Sequence, residues 1–328
     1  MNLHNFVELC MCPAPLGNEH TAKQLIRSML PNGLEISEDV AGSAIVRKPG
    51  EKPGLTFFAS LSQPVVLVTG KKADGAWELQ PLGTGKTLEP MNGWKVMDSS
   101  GAQAKLEVKD GVLRLTEDRG VQIGSLLTRQ PDWTQDVLSV SCAGIEDRVG
   151  CWLLTELLRE MPDVKAEITC IFLAQEQHCT KVAELAMNET DAAVAIRLGS
   201  AKVNDINLTG APVNAGGGPV LKLRERYVST DGRLMDLERM ACREAGVPFQ
   251  YEVLELDATG LCTAQYGHCG VVVGGIDVPA EEGRILLTDL RNTRALVMQL
   301  AANADQIQQA LCSLPAVQHL AQTTKEER

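Results

Sequence analysis

Apolar residues recur at two different spacings along this 328-residue chain, and each spacing predicts a type of element. Between Glu19 and Leu30 they return every three or four residues, which is typical of one helix face, and Asn18 is the predicted N-cap. Short apolar runs bounded by glycine or proline at 42–47 and 55–60 predict two buried strands. We therefore expect the chain to begin with a helix followed by a strand pair.

Between residues 65 and 135 the apolar runs become shorter and glycine-rich turns separate them. Strand-like runs in this stretch are 65–69, 105–108 and 112–115. The Lys109-Asp-Gly111 sequence predicts a tight hairpin turn between the last two runs. This pattern of short strands and turns predicts a small inserted β domain at 65–136. Residues 1–64 and 137–328 are then predicted to form the main domain together.

After Val137 the helix and strand patterns alternate along the chain. Helices are predicted at 147–160, 180–187, 234–245 and 288–311, and strands at 167–174, 192–198, 251–256 and 270–276. Such alternation favours helices packed on the two faces of a sheet. The predicted fold class is α/β, with a mixed sheet in a sandwich and the small β domain inserted into it.

Composition and charge argue against two kinds of partner. The chain has 42 acidic and 31 basic residues, a formal net charge of -11, which disfavours nucleic acid because phosphate binding needs clustered Lys and Arg. No apolar run reaches the ~18 residues of a membrane span, and the first twelve residues lack the basic region of a signal peptide. Ten cysteines without a CxxC pair favour reduced thiols and a cytoplasmic location.

Six short segments carry the most specific information in the sequence. They are Pro15-Leu-Gly-Asn-Glu19, Glu146-Asp-Arg-Val-Gly-Cys151, Gln175-Glu176, Gly216-Gly-Gly-Pro219, Ala245-Gly-Val-Pro-Phe-Gln250 and Ile276-Asp-Val-Pro279. In their residues and in their order along the chain, they resemble segments of the tetrahedral aminopeptidases, the glutamyl and deblocking enzymes with a cocatalytic dinuclear zinc site. The resemblance covers nearly the whole chain. It implies a phosphorylase/hydrolase-like, three-layer peptidase sandwich that assembles into dimers or larger oligomers.

The same resemblance locates the family's metal-site positions, and most of them hold a different residue in this chain. The first His ligand falls on Ser60 and its supporting Asp on Ser62, while the bridging Asp falls on Glu146. Of two consecutive glutamates, the general base is kept as Glu176, but the metal ligand is Gln177. An amide oxygen coordinates a cation without supplying negative charge.

Arginines stand at the last two ligand positions that the resemblance implies. The family's third Asp corresponds to Arg197, and its final His corresponds to Arg284. A cation at a metal position repels the metal at short range. We hypothesise that these arginines pair with Glu146 and Glu176, so that guanidinium charge replaces metal charge.

These replacements lead to a first hypothesis of a catalytically inactive family member. Such a pseudoenzyme would need no cofactor and would keep self-assembly and a peptide or amino-acid-like ligand. The alternative is a metal-dependent aminopeptidase or amidohydrolase with Glu176 as general base. Its replacement ligands for zinc, cobalt or manganese would be Glu146 and Gln177, together with Asp147, His178 or Cys179. A third hypothesis, a regulatory partner of an intact paralogue, stays open.

Four other motifs are favoured less. His178-Cys179 and His268-Cys269 suggest a relocated metal site or a Cys–His nucleophile, but neither pair has metal-ligand spacing. Gly216-Gly-Gly-Pro219 lacks the Lys-Ser/Thr of a phosphate loop, and Gly85-Lys86-Thr87 lacks the first glycine of that motif. Nucleotide binding is therefore not expected.

Overall fold

The computed structural model describes residues 3–83, 88–204, 212–254, 259–266 and 271–312. Within these ranges lie eight α-helices: α1 His4–Met11, α2 His20–Met29, α3 Val149–Arg159, α4 Val182–Asn188, α5 Gly232–Ala245, α6 Leu261–Ala264, α7 Leu287–Ala302 and α8 Ala304–Cys312. Two short 3-10 helices are Glu89–Met91 and Ile145–Asp147.

The same ranges contain strands that pair into three sheets. They are β1 Glu35–Glu38, β2 Ala44–Lys48, β3 Glu51–Ser60, β4 Val65–Lys71, β5 Trp77–Leu82, β6 Lys95–Met97, β7 Gln103–Lys109, β8 Val112–Arg119, β9 Leu126–Arg129, β10 Thr134–Gln135, β11 Ser139–Ser141, β12 Ala166–Leu173, β13 Ala192–Lys202, β14 Val220–Glu225, β15 Val228–Ser229, β16 Gln250–Leu254, β17 Val272–Ala280 and β18 Arg284–Leu286.

The largest sheet is mixed and has nine strands. Its order is β1-β2-β12-β3-β13-β17-β14-β15, with β16 paired to β14 outside this path. The central neighbours β12, β3, β13 and β17 run parallel, whereas β1, β2, β14 and β15 make antiparallel pairs. The predicted α/β class with a mixed sheet is confirmed.

Alternating side chains along the central strands divide the core into two layers. On β12, Ile168, Cys170 and Phe172 pack in the cluster that contains the buried faces of α1, α3, α5 and α7. The intervening Ile171 and Leu173 pack in a second cluster, with α4 and α6. Because neighbouring residues of a strand point to opposite faces, the sheet is covered on both sides and the molecule has three layers.

A six-stranded antiparallel sheet is formed by β4 to β9, in the order β5-β4-β9-β6-β7-β8. It has its own buried cluster, to which Val66, Met91 and Leu106 belong. The β7–β8 hairpin turns at Asp110 and Gly111, whose φ angles are 54° and 69°. Two positive φ angles are what a tight two-residue hairpin requires, so the predicted turn is confirmed. The domain boundaries 65–136 stay a prediction.

Several elements differ from the sequence prediction. The predicted first helix is α2, but its N-cap is Glu19 and not Asn18. The Glu19 carboxylate accepts hydrogen bonds from the backbone N–H groups of Gly17 and Gln175, so a tertiary contact decides this helix start. Helix α1 and strand β14 were not predicted. The run that forms β14 is short and contains Lys222, which hid its buried character.

No helix in the described ranges is long and apolar enough to cross a membrane.

Candidate functional site

The carboxyl ends of parallel strands bring together several of the predicted site residues. Ser60 is the last residue of β3, and Gln177 follows β12, which is parallel to β3. Arg197 and Gly199 lie two residues apart on β13, the other parallel neighbour of β3, and therefore on the same face of that strand. In open α/β sheets, ligands bind in the crevice at these strand ends.

A small polar cavity with a volume of about 70 Å³ lies at this place. It is lined by Ser60, Glu146, Asp147, Gly150, Gln177, Arg197, Leu198, Gly199 and Ser200. Four of the five metal-ligand positions implied by the family resemblance thus meet in one cavity. A space of this size accommodates a few water molecules or a small ion.

Two carboxylates enter the cavity from the 3-10 helix Ile145–Asp147. Glu146 accepts a hydrogen bond from the backbone N–H of Gly283, and Asp147 accepts one from the Gln177 amide at 3.2 Å. Burial raises the pKa of Glu146. Burial, and then the neighbouring Glu146 charge, raise the pKa of Asp147 to about 7. The carboxyl pair therefore holds protons more tightly than exposed carboxyls do.

The two serines at the His and Asp positions are buried polar groups. The Oγ atoms of Ser60 and Ser62 have no hydrogen-bond partner within the described part of the chain. The backbone oxygen of Ser60 accepts the thiol hydrogen of Cys151, with Sγ and O 3.0 Å apart. A hydroxyl buried without a partner costs free energy, so the Ser60 Oγ is a polar group available to a ligand.

Arg197 projects into the cavity and is held by a carboxylate from the next strand. Its Nη1 atom lies 3.0 Å from Oδ1 of Asp277, which is fully buried and pairs in register with Gly199. The guanidinium lies over Gly199: a Cβ built on that glycine would be 2.6 Å from Nη1 and 2.8 Å from Asp277 Oδ1. A side chain at position 199 would therefore displace the Arg197 guanidinium or the Asp277 carboxylate from this arrangement.

Behind Arg197, a second buried cation joins the same network. The Lys222 ammonium lies 2.9 Å from Asp277 Oδ2, 2.5 Å from Glu252 Oε2 and 3.3 Å from Glu225 Oε2. All four side chains are at most 2% exposed. Strands β14, β16 and β17 each contribute to this cluster, in which three carboxylates surround the lysine.

The ionisation of both cations is fixed by their surroundings. Burial lowers the pKa of Lys222, but the carboxylates of Asp277 and Glu225 outweigh it and raise that pKa overall. For Arg197, burial likewise lowers the pKa, and Asp277 together with Glu176 raises it further than burial lowers it. Both side chains therefore carry positive charge at neutral pH.

Glu176 and Arg284, the other two predicted site residues, do not line the cavity. The Glu176 carboxylate is buried and accepts a hydrogen bond of 2.5 Å from the Gly260 backbone N–H. Arg284 is 40% exposed, pairs with Glu281 at 2.9 Å and donates to the Ser139 hydroxyl.

The predicted pairing of Arg197 and Arg284 with Glu146 and Glu176 is wrong. Arg197 pairs with Asp277 on the neighbouring strand, and Arg284 pairs with Glu281 in the same turn. Asp277 faces Gly199 across neighbouring strands, and Glu281 precedes Arg284 by three residues.

The candidate ligands for a relocated metal site lie apart from the cavity lining. His178 and Cys179 both have exposed side chains, and His268-Cys269 lies outside the described residues. Within the described ranges, no three His, Cys, Asp or Glu side chains are grouped as metal ligands.

The glycine-rich loop has a structural partner. Backbone N–H groups of Gly216 and Gly218 donate to the two carboxylate oxygens of Asp289, at 2.7 and 3.0 Å. The Gln250 side chain also bonds to this loop, through Asn214 and Gly218. Amide groups that would face a phosphate thus bind a carboxylate of the protein. The other nucleotide-loop candidate, Gly85-Lys86-Thr87, lies outside the described residues.

Three residues of this site were not predicted from the sequence: Gly199, Lys222 and Asp277. Asp277 lies within Ile276-Asp-Val-Pro279, and an acidic residue inside an apolar run is a signal of a buried partner. Lys222, in the apolar run of β14, is the matching signal of opposite charge.

Solved structures with a similar backbone identify the fold. A TET aminopeptidase from the marine sediment archaeon Thaumarchaeota archaeon SCGC AB-539-E09 aligns with a TM-score of 0.82, at 17% identity, over 92% of this chain and 95% of that one. The TET1 peptidase of Pyrococcus horikoshii aligns with a TM-score of 0.79, at 17% identity, over 91% and 98%. The fold is that of the TET aminopeptidases.

Sequence comparisons identify the family. The model of the M42 glutamyl aminopeptidase family matches residues 112–287, more than half of the chain. A relative from Acetivibrio thermocellus named "Putative aminopeptidase" is 23% identical over 288 residues, which are 80% of this chain and 86% of that protein. The chain belongs to the M42 glutamyl aminopeptidase family.

Proposed function

We propose that this chain is an M42-family protein that has lost zinc-dependent peptidase chemistry and acts through ligand binding and self-assembly. The observation that carries this proposal is the position of Arg197. Its guanidinium lines the cavity, is paired with Asp277 and carries a positive charge that the surrounding carboxylates stabilise. A pair of divalent cations would have to share this small space with a fixed cation, at a large electrostatic cost.

The donor set of the cavity also fits a zinc pair poorly. Zinc prefers imidazole, thiolate and carboxylate ligands, whereas Ser60 and Gln177 offer only a neutral hydroxyl and a neutral amide. The Gln177 amide nitrogen donates to Asp147, which turns one cavity carboxylate toward a protein partner. These contacts support the proposal that the metal positions of the family are degenerate in this chain.

Glu176 further supports a loss of catalysis. A general base must reach the attacking water within hydrogen-bond distance. Here the carboxylate is buried, and its Oε1 atom accepts the Gly260 N–H outside the cavity lining. We therefore interpret Glu176 as a structural residue that fastens the loop before α6 to the end of β12.

One observation favours the alternative function, a metal-dependent aminopeptidase or amidohydrolase. Glu146 and Asp147 enter the same cavity, where burial raises the pKa of both and the Glu146 charge further raises the pKa of Asp147. A divalent cation would relieve that repulsion. Under this alternative, Glu146, Asp147 and Gln177 would hold zinc, cobalt or manganese, which would supply Lewis-acid activation of water.

The experiment that separates the two functions is a hydrolysis assay on short peptides and aminoacyl amides. The purified chain is incubated with added zinc, cobalt or manganese and compared with Glu176→Gln and with a chelated sample. The proposal expects no hydrolysis above the blank in any of these samples. Metal-dependent hydrolysis that Glu176→Gln abolishes would instead establish the alternative.

We also propose that the chain assembles with copies of itself. The Pyrococcus horikoshii peptidase is described as able to assemble into a tetrahedron or a large octahedral shell. A second similar structure, at a TM-score of 0.80, is described as a dodecamer. This chain has the same fold, and it exposes apolar side chains such as Val137 and Leu138, at 88% and 66%. Exposed apolar residues of this kind are often buried in interfaces.

Mass photometry at several protein concentrations tests the assembly. We expect a dimer or a larger symmetric oligomer, because homo-oligomers with closed symmetry are the common form of self-association. The substitution pair Val137→Ser and Leu138→Ser reports on that surface, and Val40→Ser, at an equally exposed site, is the control. A monomer at every concentration would contradict self-assembly.

A further inference from the structure

The charges around Arg197 indicate what this guanidinium does in the cavity. Cavity residues Glu146 and Asp147, with Glu176 and Asp277 close by, give the site a strongly acidic character. In a site of low dielectric constant, so many carboxylates need a compensating cation. Within the cavity lining, Arg197 is the residue that supplies positive charge.

The way in which Arg197 is held resembles the way in which a bound ion is held. Its guanidinium is fixed by Asp277 at 3.0 Å, and Asp277 is fixed in turn by Lys222 at 2.9 Å. A ligand-binding carboxylate oriented by a second group is typical of metal sites, where outer contacts fix the inner ones. Here Lys222, which orients Asp277, and Arg197, which Asp277 binds, are both side chains of the protein.

Gly199 makes this arrangement sterically feasible. A Cβ at this position would lie 2.6 and 2.8 Å from the two terminal nitrogens of Arg197, closer than real Cβ contacts allow. The φ angle of Gly199 does not require a glycine, because it is not among the positive values. Its lack of a side chain therefore serves the packing of the guanidinium, not the backbone conformation.

We propose that the guanidinium of Arg197 is a tethered cation that takes the place of a divalent metal ion in this cavity. Asp277 and Lys222 are its positioning residues, and Gly199 provides the space that it fills. This inference rests on the proposed loss of zinc chemistry but makes a separate claim: the carboxylates of the site still bind a cation, and removing the tethered one opens the cavity to a free one.

The test measures Mn²⁺ uptake by the full-length chain and by Arg197→Ala. Mn²⁺ is the probe because carboxylate and amide oxygens suit it. The wild type is expected to take up no Mn²⁺ after dialysis and to show no shift in Tm. Arg197→Ala is expected to take up about one Mn²⁺ per chain. At a hundredfold excess over the dissociation constant, its Tm should rise by about 4 °C relative to its metal-free form.

Two further variants keep the test decisive. Arg197→Gln removes the charge but fills much of the space, so it replaces Arg197→Ala if the smaller side chain prevents folding. Arg284→Ala is the matched control, because this arginine pairs with Glu281 outside the cavity lining. It should behave like the wild type.

Folded Arg197 variants that take up no more Mn²⁺ than the wild type would overturn the inference and leave the proposed function intact. Mn²⁺ uptake by the wild type without hydrolysis would also overturn the inference alone. Uptake by the wild type together with peptide hydrolysis would overturn both.

Discussion

At the scale of single residues, burial of an ionisable group has a cost, and Glu238 shows it. This glutamate lies on α5, is 0% exposed and has no hydrogen-bond partner for either carboxylate oxygen in the described ranges. Its Oε1 atom packs where a side chain on Gly274 of β17 would be, 2.6 Å from the Cβ position. Burial raises its pKa from 4.5 to about 8, so Glu238 is protonated in the folded chain at neutral pH.

A raised pKa of a carboxyl makes the folded state lose stability as pH rises. In the unfolded chain Glu238 releases its proton near pH 4.5, whereas the folded chain keeps it to about pH 8. Its contribution to the free energy of unfolding is therefore full below pH 4.5 and falls between these values. We expect Glu238→Gln, which never ionises, to raise that free energy at pH 8.5 by about 1–3 kcal/mol relative to the wild type.

Urea denaturation at pH 5 and pH 8.5 measures this effect. Glu107→Gln, at an exposed position on β7, is the control and should change the free energy of unfolding by less than about 0.5 kcal/mol at both pH values. If Glu238→Gln gains no stability over the wild type between pH 5 and pH 8.5, Glu238 does not titrate in the way described.

The candidate site was only partly predictable from individual residues. Sequence motifs located Ser60, Glu146, Gln177 and Arg197, and the structure brings all four into one cavity. The partners of the arginines were not predictable. Arg197 and Asp277 are 80 residues apart in the sequence, and their pairing depends on the register between β13 and β17. Register of this kind is a property of the assembled sheet.

Helices and strands with a clear apolar period were predicted well, and those without one were missed. The predicted helix at 234–245 corresponds to α5, which spans Gly232–Ala245. Strand β12 has eight consecutive buried residues, and its apolar run predicted it without any alternation. Strand β14, by contrast, owes its place to pairing with β16 and β17, and Lys222 is buried there only because three carboxylates from these strands surround it.

Helix α3 packs closely on the sheet at Gly150, and this contact predicts the effect of a substitution there. A Cβ on Gly150 would lie 2.4 Å from the backbone oxygen of Leu198 and 2.9 Å from the Cβ of Ala59. Since backbone atoms cannot move aside locally, Gly150→Ala must push α3 away from β3 and β13. We expect it to lower the free energy of unfolding by about 2 kcal/mol or more.

Chemical denaturation with Gly232→Ala as the control tests this contact. Gly232 begins α5, and no atom lies within 4 Å of the place that an added Cβ would occupy, so alanine there should be neutral or stabilising by about 0.4–1 kcal/mol. Equal effects of the two substitutions would show that the approach of α3 to the sheet is not tight.

For the molecule as a whole, the fold could be predicted from the sequence and the activity could not. The three-layer sandwich and its family membership were predictable, because apolar periodicity and six ordered segments extend over nearly the whole chain. The activity was not predictable, because it depends on a few groups at the strand ends and on their total charge. In this chain those groups include a fixed guanidinium, and that single charge changes what the same scaffold is expected to bind.

Elemental mass spectrometry of the purified wild-type chain is the most direct test of the proposed loss of zinc chemistry. The protein is measured as isolated and again after incubation with zinc, cobalt and manganese followed by dialysis. Our account predicts no stoichiometric metal in either sample, because Arg197 already supplies the cation of the cavity. About two tightly held cations per chain, the number in a cocatalytic site, would contradict it.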